Sequence, residues 1–395
     1  MKNQLLHTPE GVRDIYNEEC ERKIILEGRL LSVMKSYGYH PIQTPTFEYF
    51  DVFGKEIGTT PSRDLYKFFD REGNTLVLRP DITPSIARCA SKYYMEQAIP
   101  IRLCYTGNTF RNNSSYQGRL KENTQSGAEL IGDGSVEADA EMLALSAQLL
   151  QAAGLKEFQL SVGHADFLRG LFEAAHLKEE VMEEIRNLLL NRNLYGVQEV
   201  VEQHVQDDNL KHLFTLLSDV MLDKEKITAA KVWAQDFPRV LNALTRLEQL
   251  DELLELYKIH KYISYELAMI SGFNYYTGII FAGYTFGSGE AIVNGGRYDN
   301  LLKSFGKSAP SIGFAVVINQ LMAALQRQNV RIPFENTTKW FIYSEQYRQD
   351  AIKDAQVLRS RGEQVELMPL TEQNTKDVYE KYAEDKHIQD IIFYM

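Results

Sequence analysis

Three parts of the sequence place polar and charged side chains within runs that are otherwise apolar. These side chains are two carboxylates, a hydroxyl, a guanidinium, an amide and two phenols, and they belong to Asp81, Thr83, Arg111, Gln125, Glu129, Tyr275 and Tyr276. A carboxylate buried among apolar strands is tolerated only when it is hydrogen-bonded or paired with a cation. The pattern therefore predicts either a satisfied structural network or a pocket for a cationic ligand. For any one of these residues alone, the structural interpretation is favoured.

Motifs for nucleotide, metal and nucleophile chemistry are absent or incomplete. Residues 306–308 (GKS) resemble the end of a phosphate-binding loop, but Leu301 stands where that loop requires glycine. Residues 287–292 (GSGEAI) end on Ile292 where the dinucleotide fingerprint requires a small residue, so a hairpin turn is the better interpretation. The eight histidines are scattered, and the three cysteines have neither metal-ligand nor disulfide spacing. We therefore expect no metal and no cofactor.

Length, composition and charge predict a globular protein of two or three domains. Of the 395 residues, 44% are apolar and 25% are charged, which are ordinary globular values. The 43 basic and 54 acidic side chains leave a formal charge of −11, so binding to nucleic-acid phosphates is not the expected main activity. No apolar run has the length of a signal peptide or a membrane span, and we expect a soluble protein of the cytosol.

Apolar periodicity predicts a helix followed by several short strands. Apolar residues recur at helical spacing over 18–35, and the pattern stops at Gly38. A second helix is predicted over 137–153, with Gly154 as its C-terminal stop. Strands are predicted over 41–47, 75–78, 101–105, 158–162, 263–269 and 278–285.

A helical stretch interrupts the strand-rich part of the chain. Between Gly196 and Gly272 there is no other glycine, Pro238 is the only proline, and leucines recur three and four residues apart. The tail predicts a strand, a helix and a strand over 340–343, 348–359 and 364–367. We therefore expect an α+β fold with a discontinuous core over 1–165 and 260–325, an inserted helical domain over 166–259 and a small C-terminal α/β domain over 335–395.

The order of these motifs resembles the catalytic core of histidyl-tRNA synthetase, a class II aminoacyl-tRNA synthetase. The most specific part is 275–278 (YYTG) followed by 295–299 (GGRYD). Residues 38–48 resemble the dimer-forming first motif of that class, 110–111 (FR) its second and 312–315 (IGFA) its third. The resemblance covers about the first 325 residues. It implies a class II synthetase-like antiparallel sheet flanked by helices.

The resemblance also implies a pocket for histidine. In the family, an acid, a threonine and a glutamine hold the α-ammonium group, a glutamate and a tyrosine contact the imidazole, and an arginine is available for the carboxylate. The corresponding residues are Asp81, Thr83, Gln125, Glu129, Tyr276 and Arg111, and the adjacent Tyr275 completes the predicted histidine-binding set. Within this set, Asp81 departs from the family because it replaces a longer glutamate.

The positions that bind ATP in the family carry different residues here. Asn113 stands at the glutamate that contacts adenine, and Asn123 at the phenylalanine that stacks on it. Ser271 and Gln320 replace two arginines that bind the α- and γ-phosphates, while Arg119 is retained. Losing one preorganised charge-stabilising group typically raises the barrier by about 3 to 4 kcal/mol. We therefore expect negligible adenylation and no catalytic residue.

A retained histidine pocket beside a lost ATP site resembles the regulatory subunits of ATP phosphoribosyltransferase, which are paralogues of the synthetase. This resemblance spans the whole chain. It implies a non-catalytic subunit that serves a short-form ATP phosphoribosyltransferase catalytic subunit in the first step of histidine biosynthesis. It also implies histidine as feedback effector and self-dimerisation through the synthetase-like core. The tail over 340–395 is shorter than a complete anticodon-binding domain and is not notably basic, so neither tRNA nor a membrane is an expected partner.

Two other interpretations remain open. A divergent histidyl-tRNA synthetase would retain adenylation despite Ser271 and Gln320. A freestanding histidine-sensing module would keep the pocket but act on an unrelated partner. Histidine itself has two candidate locations in the preferred interpretation, the synthetase-like pocket and the interface with the catalytic subunit.

Overall fold

The computed structural model describes residues 6–54, 60–94, 96–97, 100–113, 120–219, 222–269, 275–386 and 388–395. The chain divides into two units, one ending at Ile332 and the other beginning at Pro333. None of the helices in these ranges is both long enough and apolar enough to cross a membrane.

The first unit contains eleven strands and ten α-helices among its described residues. The strands are β1 (His40–Pro41), β2 (Phe47–Tyr49), β3 (Lys67–Phe69), β4 (Thr75–Leu78), β5 (Ile101–Phe110), β6 (Glu122–Ile131), β7 (Gln159–His164), β8 (Ile263–Tyr265), β9 (Ile279–Tyr284), β10 (Val293–Arg297) and β11 (Ser311–Val317). The helices are α1 (Asn17–Ser36), α2 (Thr83–Tyr93), α3 (Val136–Ala152), α4 (Ala165–Ala174), α5 (Glu179–Leu190), α6 (Leu194–His204), α7 (Asp208–Thr215), α8 (Lys224–Trp233), α9 (Pro238–Leu256) and α10 (Ile318–Arg327).

Eight of these strands form one sheet in the order β1-β5-β6-β11-β10-β9-β7-β8. The six central strands pair antiparallel, whereas β1 and β8 pair in parallel with their neighbours at the two edges. Helices α1, α3 and α10 pack on one face, and α2 packs on the other. The predicted α+β fold with an antiparallel sheet flanked by helices is confirmed.

The register of β6 decides which side chains share the face that carries α2. Leu103 of β5 lies opposite Glu129, and Gly107 lies opposite Gln125. On its other side β6 pairs with β11, where Gly313 lies opposite Glu129. Because side chains alternate along a strand, the odd-numbered residues of β6 from Asn123 to Glu129 point to one face.

A small antiparallel sheet, formed by β2, β3 and β4, precedes α2 in the chain and positions it on its face of the main sheet. In it β4 lies between β2 and β3, and the chain leaves β4 through Arg79. The guanidinium of Arg79 is buried and donates hydrogen bonds to the carbonyls of Thr44 and Asn108, both at 2.8 Å. These bonds hold the end of β4 against β5, so α2 begins directly beside the main sheet.

Helices α4 to α9 lie between β7 and β8 in the chain and pack into the same hydrophobic core as the sheet. A buried ion-pair network joins them to it. Asp139 of α3 is fully buried and accepts Arg246 of α9 at 2.7 Å on one oxygen and Arg297 of β10 at 2.6 Å on the other. In the same helical segment, Trp233 stacks on His212 with 5.0 Å between ring centroids. The domain boundaries predicted within this unit stay predictions.

The second unit is a three-stranded parallel sheet between two helices. Its elements are β12 (Lys339–Tyr343), α11 (Arg348–Ser360), β13 (Val365–Pro369), α12 (Lys376–Lys386) and β14 (Ile391–Tyr394), with β12 in the middle of the sheet. Trp340 and Ile342 of β12 pack with Tyr379 of α12. Phe341 packs with Ala355 of α11 on the other face. Alternation along β12 thus creates two small cores.

Two predicted strands require correction. The strand predicted over 41–47 is interrupted, since pairing stops at Pro41 and resumes at Phe47, and Arg79 takes the carbonyls of Thr44 and Pro45 in between. The strand predicted over 263–269 ends at residue 265, because the chain turns where the N–H of residue 269 donates to the carbonyl of residue 266 at 3.2 Å.

Candidate functional site

Glu129 lies at the centre of the candidate site. It belongs to β6, is 1% exposed and points to the α2 face. The hydroxyl of Thr83 donates to its Oε1 at 2.7 Å, and the hydroxyl of Tyr298 donates to its Oε2. Gly313 of β11 leaves the necessary room, since a Cβ at that position would lie 1.6 Å from Oε2. A helix start, a strand end and a glycine therefore fix the carboxylate in place.

Burial raises the pKa of Glu129 to about 8. The hydroxyls of Tyr298 and Thr83 act in the opposite direction because they donate to the ionised form, and the nearby Asp81 carboxylate adds to the increase. Without a ligand, the Glu129 carboxyl therefore holds its proton near neutral pH. A ligand that brings a positive charge or an N–H donor stabilises the ionised form.

Asp81 is the second buried carboxylate of the cluster. It precedes α2, and its Oδ1 accepts a hydrogen bond from the N–H of Ile82 at 2.7 Å. The hydroxyl of Tyr275 donates to its Oδ2 at 3.5 Å. Burial raises the pKa of Asp81, whereas the guanidinium of Arg111 and the backbone donors oppose that increase. Two carboxyl groups in one buried site disfavour simultaneous ionisation, so the pair with Glu129 favours a cationic ligand.

Arg111 and Gln125 border the carboxylates. Arg111 follows the last residue of β5, and its Nε donates to the carbonyl of Pro80 at 3.2 Å. Gln125 points to the same face as Glu129, and its buried Oε1 has no hydrogen-bond partner among the described residues. A buried polar atom that is left unsatisfied costs about 1 to 3 kcal/mol. The amide oxygen of Gln125 therefore favours a ligand that brings a donor.

Three tyrosines form one side of the cluster. The ring centroids of Tyr275 and Tyr276 are 4.8 Å apart, and the ring of Tyr298 lies 5.8 Å from that of Tyr275 in an edge-to-face arrangement. Burial raises the pKa of all three hydroxyls, so they are neutral donors. The carbonyl of Tyr276 accepts a hydrogen bond from Arg169 of α4 at 2.9 Å. The helical segment therefore helps to position the tyrosines.

The predicted histidine-binding residues lie together on the α2 face of the sheet or at its border. Hydrogen bonds or charge contacts connect Asp81, Thr83, Arg111, Glu129 and Tyr275, Tyr276 packs on Tyr275, and Gln125 shares the face. Their contact with histidine stays a prediction. Two further residues, Tyr298 and Arg169, were missed as site residues. Tyr298 could have been identified because it belongs to the 295–299 motif. The sequence around Arg169 contains no motif that would have indicated a role in the site.

Neutral amides occupy three described positions that the sequence resemblance aligned with ATP-binding residues of the synthetase family. Asn123 lies on the α2 face, and its amide donates to the carbonyl of Leu120 at 3.2 Å. Gln320 lies half-buried in the first turn of α10, and Asn113 follows β5. Ser271, Arg119 and the motif residues 117–118 and 272–274 lie outside the described residues. In the part of the chain that the structure describes, no three His, Cys, Asp or Glu residues form a metal-binding group.

Comparisons with known proteins agree with this architecture. A family model described as histidyl-tRNA synthetase matches residues 11–321. The solved histidyl-tRNA synthetase of Nostoc sp. PCC 7120 has the same fold, with a TM-score of 0.77 at 19% identity over 97% of this chain and 90% of that chain. Fold and site together define a histidyl-tRNA synthetase-like protein of the class II fold, as predicted.

Relatives of higher identity carry a different name. The ATP phosphoribosyltransferase regulatory subunit of Acetivibrio thermocellus is 39% identical over 362 residues, which are 92% of this chain and 86% of the relative. That of Ruminiclostridium cellulolyticum is 37% identical over 393 residues, 100% of this chain and 93% of the relative. A crystal structure from Bacillus halodurans C, described as an ATP phosphoribosyltransferase regulatory subunit/histidyl-tRNA synthetase, has a TM-score of 0.86 at 32% identity and covers 99% of this chain and 98% of that one. The chain belongs to the family of ATP phosphoribosyltransferase regulatory subunits.

Proposed function

We propose that this chain is a regulatory subunit without catalysis of its own, which binds histidine around Glu129 and acts on a short-form catalytic ATP phosphoribosyltransferase subunit. The names of its relatives support the catalytic partner. The main observation in favour of a histidine site is the pair of buried carboxyl groups of Asp81 and Glu129, on the same face of the sheet as the unsatisfied amide oxygen of Gln125.

Histidine carries the groups that complement this cluster. Its α-ammonium has three N–H donors, which match acceptors on Asp81, Thr83 and Gln125. Its carboxylate matches the guanidinium of Arg111. A ring N–H matches the Glu129 carboxylate, and the positive charge of the ammonium group reduces the repulsion between the two buried carboxyl groups when they ionise.

We expect the helical segment, α4 to α9, to transmit the binding of histidine in the pocket to the catalytic subunit. A ligand changes a partner's activity only when it binds one state of the complex more tightly than another. Arg169 of α4 contacts the pocket directly, at the carbonyl of Tyr276, and Arg246 joins α9 to the Asp139–Arg297 pair at the end of β10. Arg297 directly precedes Tyr298, so a shift of Tyr298 should change the contact of Arg246 with the Asp139–Arg297 pair. A shift of Tyr276 should change its hydrogen bond with Arg169.

Calorimetric titration of histidine, into the chain alone and into its complex with the catalytic subunit, tests the site. Glu129→Gln should weaken binding at least about tenfold and reduce inhibition in parallel, because the amide cannot provide the ionised acceptor. Glu122→Gln is the matched control, since Glu122 lies on the same strand but on the opposite face. Unchanged affinity and inhibition in Glu129→Gln would place the regulatory site elsewhere, including the interface with the catalytic subunit.

The lack of catalysis is tested by histidine-dependent pyrophosphate exchange. With neutral Asn123 and Gln320 at positions that bind ATP in the family, we expect exchange at background level. The double name of the Bacillus halodurans relative makes a divergent histidyl-tRNA synthetase the second candidate, and exchange above background would favour it. Reconstitution of phosphoribosyl transfer with and without this chain completes the test. No stimulation would favour a freestanding histidine-sensing module.

We further propose that the chain dimerises through the small sheet. One face of this sheet is apolar and is formed by Phe47, Tyr49, Phe68, Leu76 and Leu78. Phe47 and Tyr49 are 51% and 58% exposed, and contiguous exposed apolar side chains are typical of protein interfaces. Sedimentation should show a dimer that Phe47→Asp dissociates. The control is Phe286→Asp, at a residue that is 79% exposed and lies outside this sheet, and it should leave the dimer intact. A dimer that survives Phe47→Asp would show that the chain dimerises through another surface.

Recognition of tRNA is not part of the proposed function. Residues 333–395 contain 12 acidic and 8 basic side chains, whereas affinity for phosphate backbones comes from clustered Lys and Arg. A gel shift with histidine-specific tRNA at low salt should therefore show no complex.

A further inference from the structure

A surface cleft lies between α4 and α5 in the helical segment, outside the cluster around Glu129. Its volume of about 520 Å³ is in the range of small-molecule sites. The side chains that line it are of two kinds, three of them apolar and three basic: Phe172, Leu177 and Met182, and Arg169, His176 and Arg186. A lining of this composition is complementary to a ligand that combines an apolar group with a negative charge.

The acidic side chains beside Arg169 are already paired with another arginine. Glu173 also lines the cleft, and its carboxylate accepts a hydrogen bond from Arg239 at 2.9 Å. Asp166 accepts a second hydrogen bond from Arg239 at 2.7 Å, whereas it lies 3.7 Å from Arg169, which is beyond hydrogen-bonding distance. These two carboxylates therefore compete only weakly with a ligand for the guanidinium of Arg169.

Arg186 is held at the cleft by contacts that a ligand can replace at little cost. Its guanidinium lies over the ring of Phe172, 5.4 Å from the ring centroid, in a cation–π contact. Its Nη1 also lies 3.2 Å from Glu179 and 3.3 Å from Glu183, whose side chains are 74% and 60% exposed. Ion pairs as exposed as these contribute little to stability. A ligand can therefore exchange them for a stronger contact with the same guanidinium.

A phosphate group is the anion that these side chains fit best. Its terminal oxygens accept hydrogen bonds from several directions, and guanidinium groups bind them with paired donors. We propose that the cleft binds an organic monophosphate, whose phosphate contacts Arg169 and Arg186 and whose organic group packs on the apolar side chains. We also propose that this site is coupled to the histidine site, because Nη1 of Arg169 donates to the carbonyl of Tyr276 at 2.9 Å. The coupling rests on the histidine site proposed above, whereas the phosphate site does not.

Calorimetric titration of the chain alone with adenosine monophosphate (AMP), adenosine and inorganic phosphate tests the phosphate site. AMP should bind at least about tenfold more tightly than either of the other two, because only AMP has both the charge and the organic group. Arg186→Met should weaken AMP binding about tenfold and leave the affinity for adenosine unchanged.

Arg348→Met is the matched control for Arg186→Met. Arg348 lies in the second unit and, like Arg186, pairs with an exposed acid three residues before it, Glu345, at 3.2 Å. This variant should bind AMP normally, and both variants should melt at the wild-type temperature. AMP binding no tighter than that of adenosine or phosphate, or equal AMP affinity in Arg186→Met and wild type, would overturn the proposed site.

Titration of histidine in saturating AMP tests the coupling. A phosphate on Arg169 competes with the carbonyl of Tyr276, so histidine affinity should fall at least about fivefold. Saturating histidine should weaken AMP binding by the same factor, because coupling between two sites is reciprocal. At the same AMP concentration, the effect should be lost in Arg186→Met, which separates coupling from competition in the histidine pocket. Unchanged histidine affinity would overturn the coupling. A chain that binds AMP but no histidine would refute the proposed histidine site and leave the phosphate site standing.

Discussion

The buried carboxyl of Glu129 should make the stability of the ligand-free chain depend on pH. Its pKa is about 8 in the folded chain, against an unperturbed value of 4.5. Between these values the folded state holds a proton that the unfolded state releases, so the free energy of unfolding decreases as the pH rises. At about 1.4 kcal/mol per pH unit, the full decrease is about 5 kcal/mol. Hydration of the ionised site offsets part of this, and we expect a decrease of about 2 to 5 kcal/mol.

Glu129→Gln isolates this effect because the amide keeps the shape of the side chain and cannot ionise. Urea denaturation, followed by far-ultraviolet circular dichroism, should be compared for variant and wild type from about pH 5 to about pH 8.5. The two should have similar stability at the acidic end, and the variant should become more stable by about 2 to 5 kcal/mol at the basic end. Burial also raises the pKa of Asp81, but Asp81 is present in both proteins and its contribution largely cancels.

Two controls make the comparison specific to the site. Glu122→Gln, on the opposite face of β6, should follow the wild-type pH dependence. Saturating histidine should flatten the wild-type curve, because the ligand stabilises ionised Glu129. Parallel curves for wild type and Glu129→Gln without ligand would refute a carboxyl that is neutral in the folded state.

Two further substitutions follow from the packing of the site and the core. Gly313→Ala would place a Cβ 1.6 Å from the Oε2 of Glu129, so histidine binding in calorimetry should weaken by more than about a hundredfold. The control is Gly289→Ala, whose Cβ meets no atom within 4 Å and which should bind histidine normally. Normal binding by Gly313→Ala would show that Glu129 is not held in this position. Asp139→Asn removes the countercharge of two guanidiniums and should lower the free energy of unfolding by about 3 to 5 kcal/mol in urea. Loss of the more exposed pair with Lys226 through Asp219→Asn should cost far less, and equal effects of the two substitutions would contradict the buried network.

Local periodicity was sufficient for elements that form mainly from their own sequence. The helix predicted over 18–35 is Asn17–Ser36, and the strand predicted over 75–78 has the predicted bounds. The strands β6, β10 and β11 were not predicted as elements, although they carry or border the site. Their glycines and polar residues lower strand propensity. The site nevertheless requires these glycines, because Gly313 leaves room for the side chain of Glu129 and Gly127 leaves room for that of Tyr105. These strands are stabilised by pairing with distant parts of the chain, which no local pattern reports.

The composition of the site was predictable through motif resemblance, but its physical state was not. Residue types alone left both a structural network and a ligand pocket open, and favoured the structural interpretation for each residue taken singly. The bond from Tyr298 to Glu129 spans 169 residues, and that from Thr83 spans 46, so both depend on the assembled sheet. The raised pKa of Glu129 and the unsatisfied amide oxygen of Gln125 depend on burial, which follows from register and helix packing.

The chain has two tryptophans, and one lies in each unit: Trp233 in the helical segment and Trp340 in the C-terminal sheet. Intrinsic fluorescence can therefore follow the melting of the two units independently, without any attached dye. Trp233→Phe leaves a signal from the C-terminal sheet alone, and Trp340→Phe leaves a signal from the helical segment between β7 and β8. Histidine should then delay the fluorescence transition of Trp233.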